Sequence, residues 1–146
     1  HEVVMDVYID AIQNLGPLFY TDAQIAAWSS LAFVPGVLDE SLAHGKGFVS
    51  FEGKEIAAFA VRHPLDRLSL LYCRASFARN GHATRLLNHI EFNALEEGQT
   101  HLFTEASLFS YQLLVKLGWT IIRSEFIQIG GVQFKRYLMK KNLSWL

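Results

Sequence analysis

Five residues in the middle of the chain, Asn80-Gly81-His82-Ala83-Thr84, have the types and order that can hold a phosphate group. They follow an apolar run (Leu68, Leu70, Leu71, Tyr72, Cys73) and a short polar crossing, and they open an amphipathic segment that ends near Glu97. A strand, a tight glycine turn and a helix start leave backbone N–H groups unpaired at the positive end of a helix dipole. Gly81 adds conformational freedom and has no side chain to block an anion. His82, inside this turn, is expected to face solvent. Cys73 is a nucleophile by type, but an isolated cysteine in an apolar strand is ordinarily inert and packed, and is read so here. His44, His63, His89 and His101 lack a His-x-x-x-His spacing, so no metal site is indicated. Gly45-Lys46-Gly47 lacks the spacing of a P-loop.

The elements that must position this turn follow from periodicity. Val3, Val4, Val7, Tyr8, Ala11, Ile12 and Leu15 fall on one helix face, and Gly16-Pro17 ends that helix. Thr21-Asp22-Ala23-Gln24 has the pattern of a capping box and predicts a short helix to about Ser29. Residues 33–46, with Pro35, Gly36 and Gly45, are irregular or hold one short helix. Strands are predicted over 47–52 and 55–62, joined at Glu52-Gly53, and over 67–75 after the break at His63-Pro64-Leu65-Asp66. Ala83, Leu86, Leu87, Ile90, Ala94 and Leu95 form the stripe of the next helix, which Gly98 closes. A short strand follows at 101–106, then a helix over 108–117 capped by Ser107 and ended by Gly118. Two last strands, 119–128 and 132–140, meet at Gly130-Gly131. The fold class is α/β or α+β with a mixed sheet, because the strand–helix–strand crossover implies a parallel pair.

Composition narrows the function classes. A chain of 146 residues is most economically one domain, 1–146, and 51% hydrophobic against 18% charged residues describes an ordered protein. Net charge is −1, and Lys135, Arg136, Lys140 and Lys141 are spread along a terminal strand, so nucleic acid is not the expected partner. Cys73 is the single cysteine, which excludes an internal disulfide and fits a reducing, cytoplasmic setting. No apolar run approaches the ~20 residues that span a bilayer, so no membrane partner is expected. The apolar end, Leu143-Ser144-Trp145-Leu146, covers either a core or an interface, and a homodimer is one arrangement it allows.

The segment Ala78-Arg79-Asn80-Gly81-His82-Ala83 resembles the cofactor motif of the GNAT superfamily of acetyl-CoA-dependent N-acetyltransferases, Gln/Arg-x-x-Gly-x-Gly/Ala. Ala78 stands where Gln or Arg is usual, and Arg79 is the neighbouring cation. Leu71-Tyr72-Cys73 resembles the family's fourth strand, Thr104-Glu105-Ala106-Ser107 the fifth strand and its exit, and Leu113-Leu114-Val115-Lys116-Leu117-Gly118-Trp119 the Phe-Tyr-Glu-Lys-Leu-Gly-Phe segment. The resemblance covers residues 48–143 best. It implies a mixed, mostly antiparallel twisted sheet with flanking helices; the family's strand ahead of the first helix has no counterpart before Glu2.

By resemblance, Arg79, Asn80, Gly81, His82, Ala83 and Thr84 would hold the pyrophosphate of acetyl-CoA. Tyr72 and Cys73 would bond the pantetheine arm and the thioester oxygen at a splay between strands, and Ser107 stands where a cofactor-binding Asn is common. Glu105 is the candidate base for the amine proton, or else a structural carboxylate. The family's acid, a Tyr four residues before the Gly of Leu-Gly-Phe, is replaced by Leu114; Tyr111, one turn earlier, either approaches the sulfur or packs its ring on a strand. The acceptor, a small-molecule or peptide amine, would be walled by the early helices, with Phe19, Tyr20, Trp28 and Phe33 as rings and Asp39 and Glu40 as acids. Two rivals stand beside this reading: a non-catalytic acyl-CoA-binding or sensing domain, suggested by Leu114, and a plain interaction module.

Overall fold

Helix α1 (Glu2–Leu15) opens the computed structural model, which describes residues 2–145, and buries Val7, Tyr8, Ala11 and Ile12 as its apolar spacing requires. A 3-10 turn at Gly16–Leu18 ends it. Helix α2 (Asp22–Ser29) begins with the reciprocal capping box: Gln24 N–H donates to Thr21 Oγ1 at 3.2 Å and Thr21 N–H donates to Gln24 Oε1 at 2.9 Å. An N-cap of this kind contributes about 1 kcal/mol. In the region read as irregular or briefly helical, the short helix is α3 (Asp39–His44).

Strands β1 (Lys46–Glu52), β2 (Glu55–Arg62) and β3 (Leu68–Cys73) form an antiparallel sheet in that order. The middle strand is covered on both faces, so its side chains sort by parity. Ala58 and Ala60 pack toward Leu86, Leu87 and Ile90 of helix α4 (His82–Glu96), while Phe59 and Val61 meet Val7, Tyr8 and Ile12 of α1. Alanines on one face let α4 lie close to the sheet. Each fully buried Leu or Ile in that contact is worth about 1.5–3 kcal/mol. Beyond α4 come β4 (His101–Ala106), α5 (Tyr111–Lys116), β5 (Thr120–Ile129) and β6 (Val132–Asn142), and the three strands form a second antiparallel sheet in the order β4-β6-β5. Gly130 and Gly131, at φ 56° and 79°, make the two-residue turn between β5 and β6.

Two expectations change. Helix α5 starts at Tyr111 and not at residue 108, because Ser107 does not act as its cap: the Ser107 hydroxyl and N–H both meet Ser110 Oγ, at 2.8 and 3.1 Å. The Leu108 N–H is taken instead by the Tyr20 hydroxyl at 2.8 Å, which holds residues 108–110 in a turn. The crossover does place β3 and β4 side by side and parallel, but they share one bridge, Arg67 with Phe103, where Phe103 N–H donates to Asp66 O at 2.8 Å. No ladder joins them further along among the described residues.

At the chain's end Leu143 packs on the main core, and the ring of Trp145 stands edge-on to Phe92 at 5.5 Å; Leu146 lies outside the described residues. Among the described residues no helix is long and apolar enough to cross a membrane.

Candidate active site

The turn before α4 is built from two left-handed residues, Arg79 at φ 66° and Gly81 at φ 84°. Gly81 is the N-cap, and no side chain caps the helix. The first bond within the helix runs from Arg85 N–H to Gly81 O at 3.1 Å, so the N–H groups of His82, Ala83 and Thr84 precede the ladder. A Cβ added at Gly81 would come within 3.2 Å of an Arg85 nitrogen, in a backbone region that side chains strain. These are the requirements of an anion cradle, and they fit a pyrophosphate.

His82 corrects the expectation of a solvent-facing ring. It is 2% exposed and turns inward onto β1, where Nδ1 meets Ser50 Oγ at 2.6 Å and Nε2 meets Glu52 Oε1 at 2.9 Å. Arg85 lies 3.0 Å from Nδ1 and can only donate, so Nδ1 accepts and the Nε2–H donates to Glu52. That bond, then one from Asn80, holds the Glu52 carboxyl below its usual range. The imidazole thus ties the turn to β1. Arg79 and Asn80 are exposed, and Ala83 and Thr84 are half-buried.

Past the single bridge, β3 and β4 separate into a cleft of about 70 Å³ lined by Leu68 to Tyr72 on one side and Thr104 to Ser107 on the other. Thr104 Oγ1 donates to Leu68 O at 2.7 Å and closes its narrow end. The facing edge of β3 has no strand partner among the described residues, so its backbone groups beside Tyr72 and Cys73 are available to amides of an arm laid in the cleft. The Cys73 thiol is half-buried, and burial, then Asp10, push it up to about 11, which keeps it protonated at neutral pH.

A second, larger cavity of about 370 Å³ adjoins the cleft. Trp28, Ser69, Tyr72, Glu105 and Ser107 line both. Its walls are rings from four different elements or their ends: Tyr8, Tyr20, Trp28 and Tyr72, with Phe134 from β6. Trp28 stacks on Phe109 at 5.4 Å and Tyr20 meets Trp28 edge-on at 5.2 Å, which makes the wall a fixed cluster. Burial raises the hydroxyl of Tyr20 above the usual tyrosine range and those of Tyr8 and Tyr72 well above it, so all three stay protonated. Glu105 Oε1 is held by Arg67 Nη2 at 2.5 Å, which leaves Oε2 as an acceptor at the junction.

Of the residues singled out from the sequence, Tyr72, Glu105 and Ser107 come together at that junction. Tyr111 does not line either space: its ring lies on Tyr137 at 4.6 Å, and α5 with its cap contributes Ser110 and Leu114 instead. Leu114 is 2% exposed and packed. Of the expected acceptor wall, Tyr20 and Trp28 are in place, whereas Phe19, Phe33, Asp39 and Glu40 are exposed and outside it. Sequence reasoning missed Arg67, Ser69 and the β5–β6 residues of the wall, because only tertiary packing brings them there. Alternation along β3 and β6 was the one available signal. Among the described residues no group of three or more His, Cys, Asp or Glu side chains is placed to hold a metal ion.

The chain thus carries an uncapped helix start, a cleft between β3 and β4, and a ring-walled cavity that shares five lining residues with the cleft. The family model described as "Acetyltransferase (GNAT) domain" matches residues 19–141, and the chain belongs to that family. Its fold is that of a GCN5-related N-acetyltransferase from Rhodopseudomonas palustris, with a TM-score of 0.92 at 21% identity over 97% of this chain and 89% of that one. It is also similar to the PaiA N-acetyltransferase of Thermoplasma acidophilum, solved in complex with coenzyme A (TM-score 0.69, 13% identity, 97% and 91% covered). A third similar structure is YncA, a putative acetyltransferase from Salmonella typhimurium with its cofactor acetyl-CoA (TM-score 0.65, 15% identity, 99% and 89% covered). No curated protein matches the sequence significantly.

Proposed function

We propose that this protein is an N-acetyltransferase that moves the acetyl group of acetyl-CoA directly to a primary amine. The observation that carries the reading is the junction: the cleft that fits the pantetheine arm opens into the ring-walled cavity at Tyr72, Glu105 and Ser107. An arm anchored by its pyrophosphate at the α4 cradle and laid along β3 would bring its thioester to that opening. Effective concentration does most of the remaining work.

The amine arrives protonated and must lose one proton before it attacks. Glu105 Oε2, or a water it orients, receives that proton. The nitrogen then attacks the thioester carbonyl carbon; the C–N bond forms, the C–S bond breaks, and the second nitrogen proton leaves as the amide is made. The departing thiolate takes up one proton, so one proton is released overall. Tyr72, protonated and lining both spaces, is a hydroxyl able to donate a hydrogen bond to developing charge, either on the carbonyl oxygen or on sulfur, as are Ser69 and Ser107 beside it. Tyr111 on Tyr137 is poorly placed for this role.

Packed Leu114 in the family's acid position favours one rival, a domain that binds acyl-CoA without turnover. Calorimetric titration with acetyl-CoA, followed by thiol release over a panel of primary amines, separates the two. Binding with turnover of at least one amine is expected, whereas tight binding with no thiol released from any amine would establish the rival. Gly81→Glu, which puts a carboxylate in the cradle, should cost at least about tenfold in affinity beyond the loss in Gly81→Ala, which carries the same backbone strain without the charge. An affinity in Gly81→Glu no weaker than in Gly81→Ala would remove the phosphate assignment.

A further inference from the structure

The acceptor cavity is the opposite of acidic. Asp39 and Glu40 lie outside it, and the one carboxylate that lines it, Glu105, is already matched by Arg67. A second guanidinium, Arg136, lines the wall without a carboxylate of its own inside the cavity. Its partner, Glu125, stands opposite it on β5, outside the lining, and engages Nε through Oε1 at 2.7 Å. That hydrogen bond occupies the inner nitrogen and leaves the two terminal nitrogens for an end-on pair with a carboxylate, the anion whose geometry a guanidinium fork matches.

Fork geometry distinguishes the cations of the wall. Phe134 and Arg136 are two residues apart on β6 and share a face, and Phe134 belongs to the ring wall with Tyr20 and Trp28. Lys135 lies between them and also lines the cavity, but its ammonium rests 5.4 Å from the Tyr137 ring and it has no fork to match a carboxylate. Register sets the scale as well: Leu138 pairs with Glu105, so Arg136 is displaced two residues, about 7 Å, along the strand from the junction. An acceptor that offers its amine to Glu105 therefore lays its body among the rings and reaches Arg136 with its far side.

Resting on the transferase reading above, we propose that the acceptor is a small amine with an aromatic or branched apolar body that carries a carboxylate, and that Arg136 reads that carboxylate. Polyamines and other polycations are poor acceptors. Two guanidinium groups and the Lys135 ammonium line the cavity with a single carboxylate, and rings replace the acidic wall such substrates need.

The test compares binding as well as turnover, because binding does not require the transferase reading to hold. N-acetyl-L-phenylalanine and its carboxylate-free counterpart N-phenethylacetamide are titrated into the protein in the presence of coenzyme A. The carboxylate is expected to bind at least about tenfold more tightly, the size of one charge-assisted pair. Arg136→Gln should reduce that preference to within about twofold by weakening only the carboxylate, and Lys135→Gln, which removes a single unforked ammonium from the same lining, should cost it less. Equal binding of the two probes, binding of neither, a preference for spermidine, or an equal loss in Lys135→Gln would each overturn the proposal. The preferred binding together with no thiol release from acetyl-CoA and L-phenylalanine or related amino acids would instead count against the transferase reading and leave the assignment of Arg136 standing.

Discussion

Cys73 and Glu105 sit a few residues from the same opening and have opposite prospects. Burial keeps the Cys73 thiol protonated at neutral pH, so it has neither the charge nor the exposure of a nucleophile. Cys73→Ala should keep turnover within about twofold and cost about 1 kcal/mol of stability, as for loss of a half-buried packed group. Steady-state thiol release and denaturant unfolding check the two halves. A loss of turnover by orders of magnitude would mean an acyl-cysteine intermediate and a different mechanism. Glu105, by contrast, is fixed by Arg67 and has one oxygen left to accept a proton. The pairing was not legible in the sequence, because residues 67 and 105 belong to elements separated by all of α4. The candidate residues with a local signature stand in the elements read for them: Gly81 before a helix stripe, and the polar pair Glu105 and Ser107 at the end of an apolar strand. Tyr111 was the weak reading, since a helical turn constrains direction only when the helix begins where expected, and α5 begins three residues later than residue 108.

At the scale of elements, the turn before α4 depends on one buried ring. His82 ties the first residue of α4 to Ser50 and Glu52 of β1, and Arg85 closes the cluster from within the helix. Replacing the ring by an apolar side chain of similar size leaves those polar partners short of bonds. His82→Leu should therefore lower stability by about 1–3 kcal/mol and weaken coenzyme A binding by more than the loss of stability explains. Thermal unfolding and calorimetry give the two values; an unchanged affinity in the folded variant would reduce the ring to a core support. The sequence shows His82 as a polar residue in a polar turn and contains nothing to say that the neighbouring hairpin would receive it. Elements with strong periodicity, α1, α4 and the β1–β2 and β5–β6 hairpins, were readable to within a residue or two. The start of α5 was not, because a hydroxyl from Tyr20, far away in sequence, satisfies the amide that a helix would have used.

For the molecule as a whole, the buried Arg62 joins the first sheet to the far end of α4. It is 1% exposed, donates to Leu65 O and Asn93 Oδ1, each at 2.7 Å, and pairs with Glu97. The Arg62 hydrogen bond, ahead of its charge and that of Lys46, holds the Glu97 carboxyl below its usual range. A lowered folded-state value gives stability that is present above the unfolded pKa and lost as pH falls through the folded one. Glu97→Gln should then lower the melting temperature at pH 7, where Arg62 loses its counter-charge, and the gap from the parent protein should narrow below roughly pH 4. A gap that is constant with pH would mean that Glu97 supports the fold through packing alone.

The parting of β3 from β4 has a wider meaning. A bare strand margin on a protein's outside invites other chains to dock and aggregate, and natural sheets guard against it with charge, bulges or cover. Here the bare margin is inside, at the bottom of a crevice of about 70 Å³. Its unpaired backbone groups can bond amides laid along them, the bonds a missing strand would have made. Under the transferase reading the donor's own arm would lie down as that missing strand, and the edge that draws other chains elsewhere would be reserved for it.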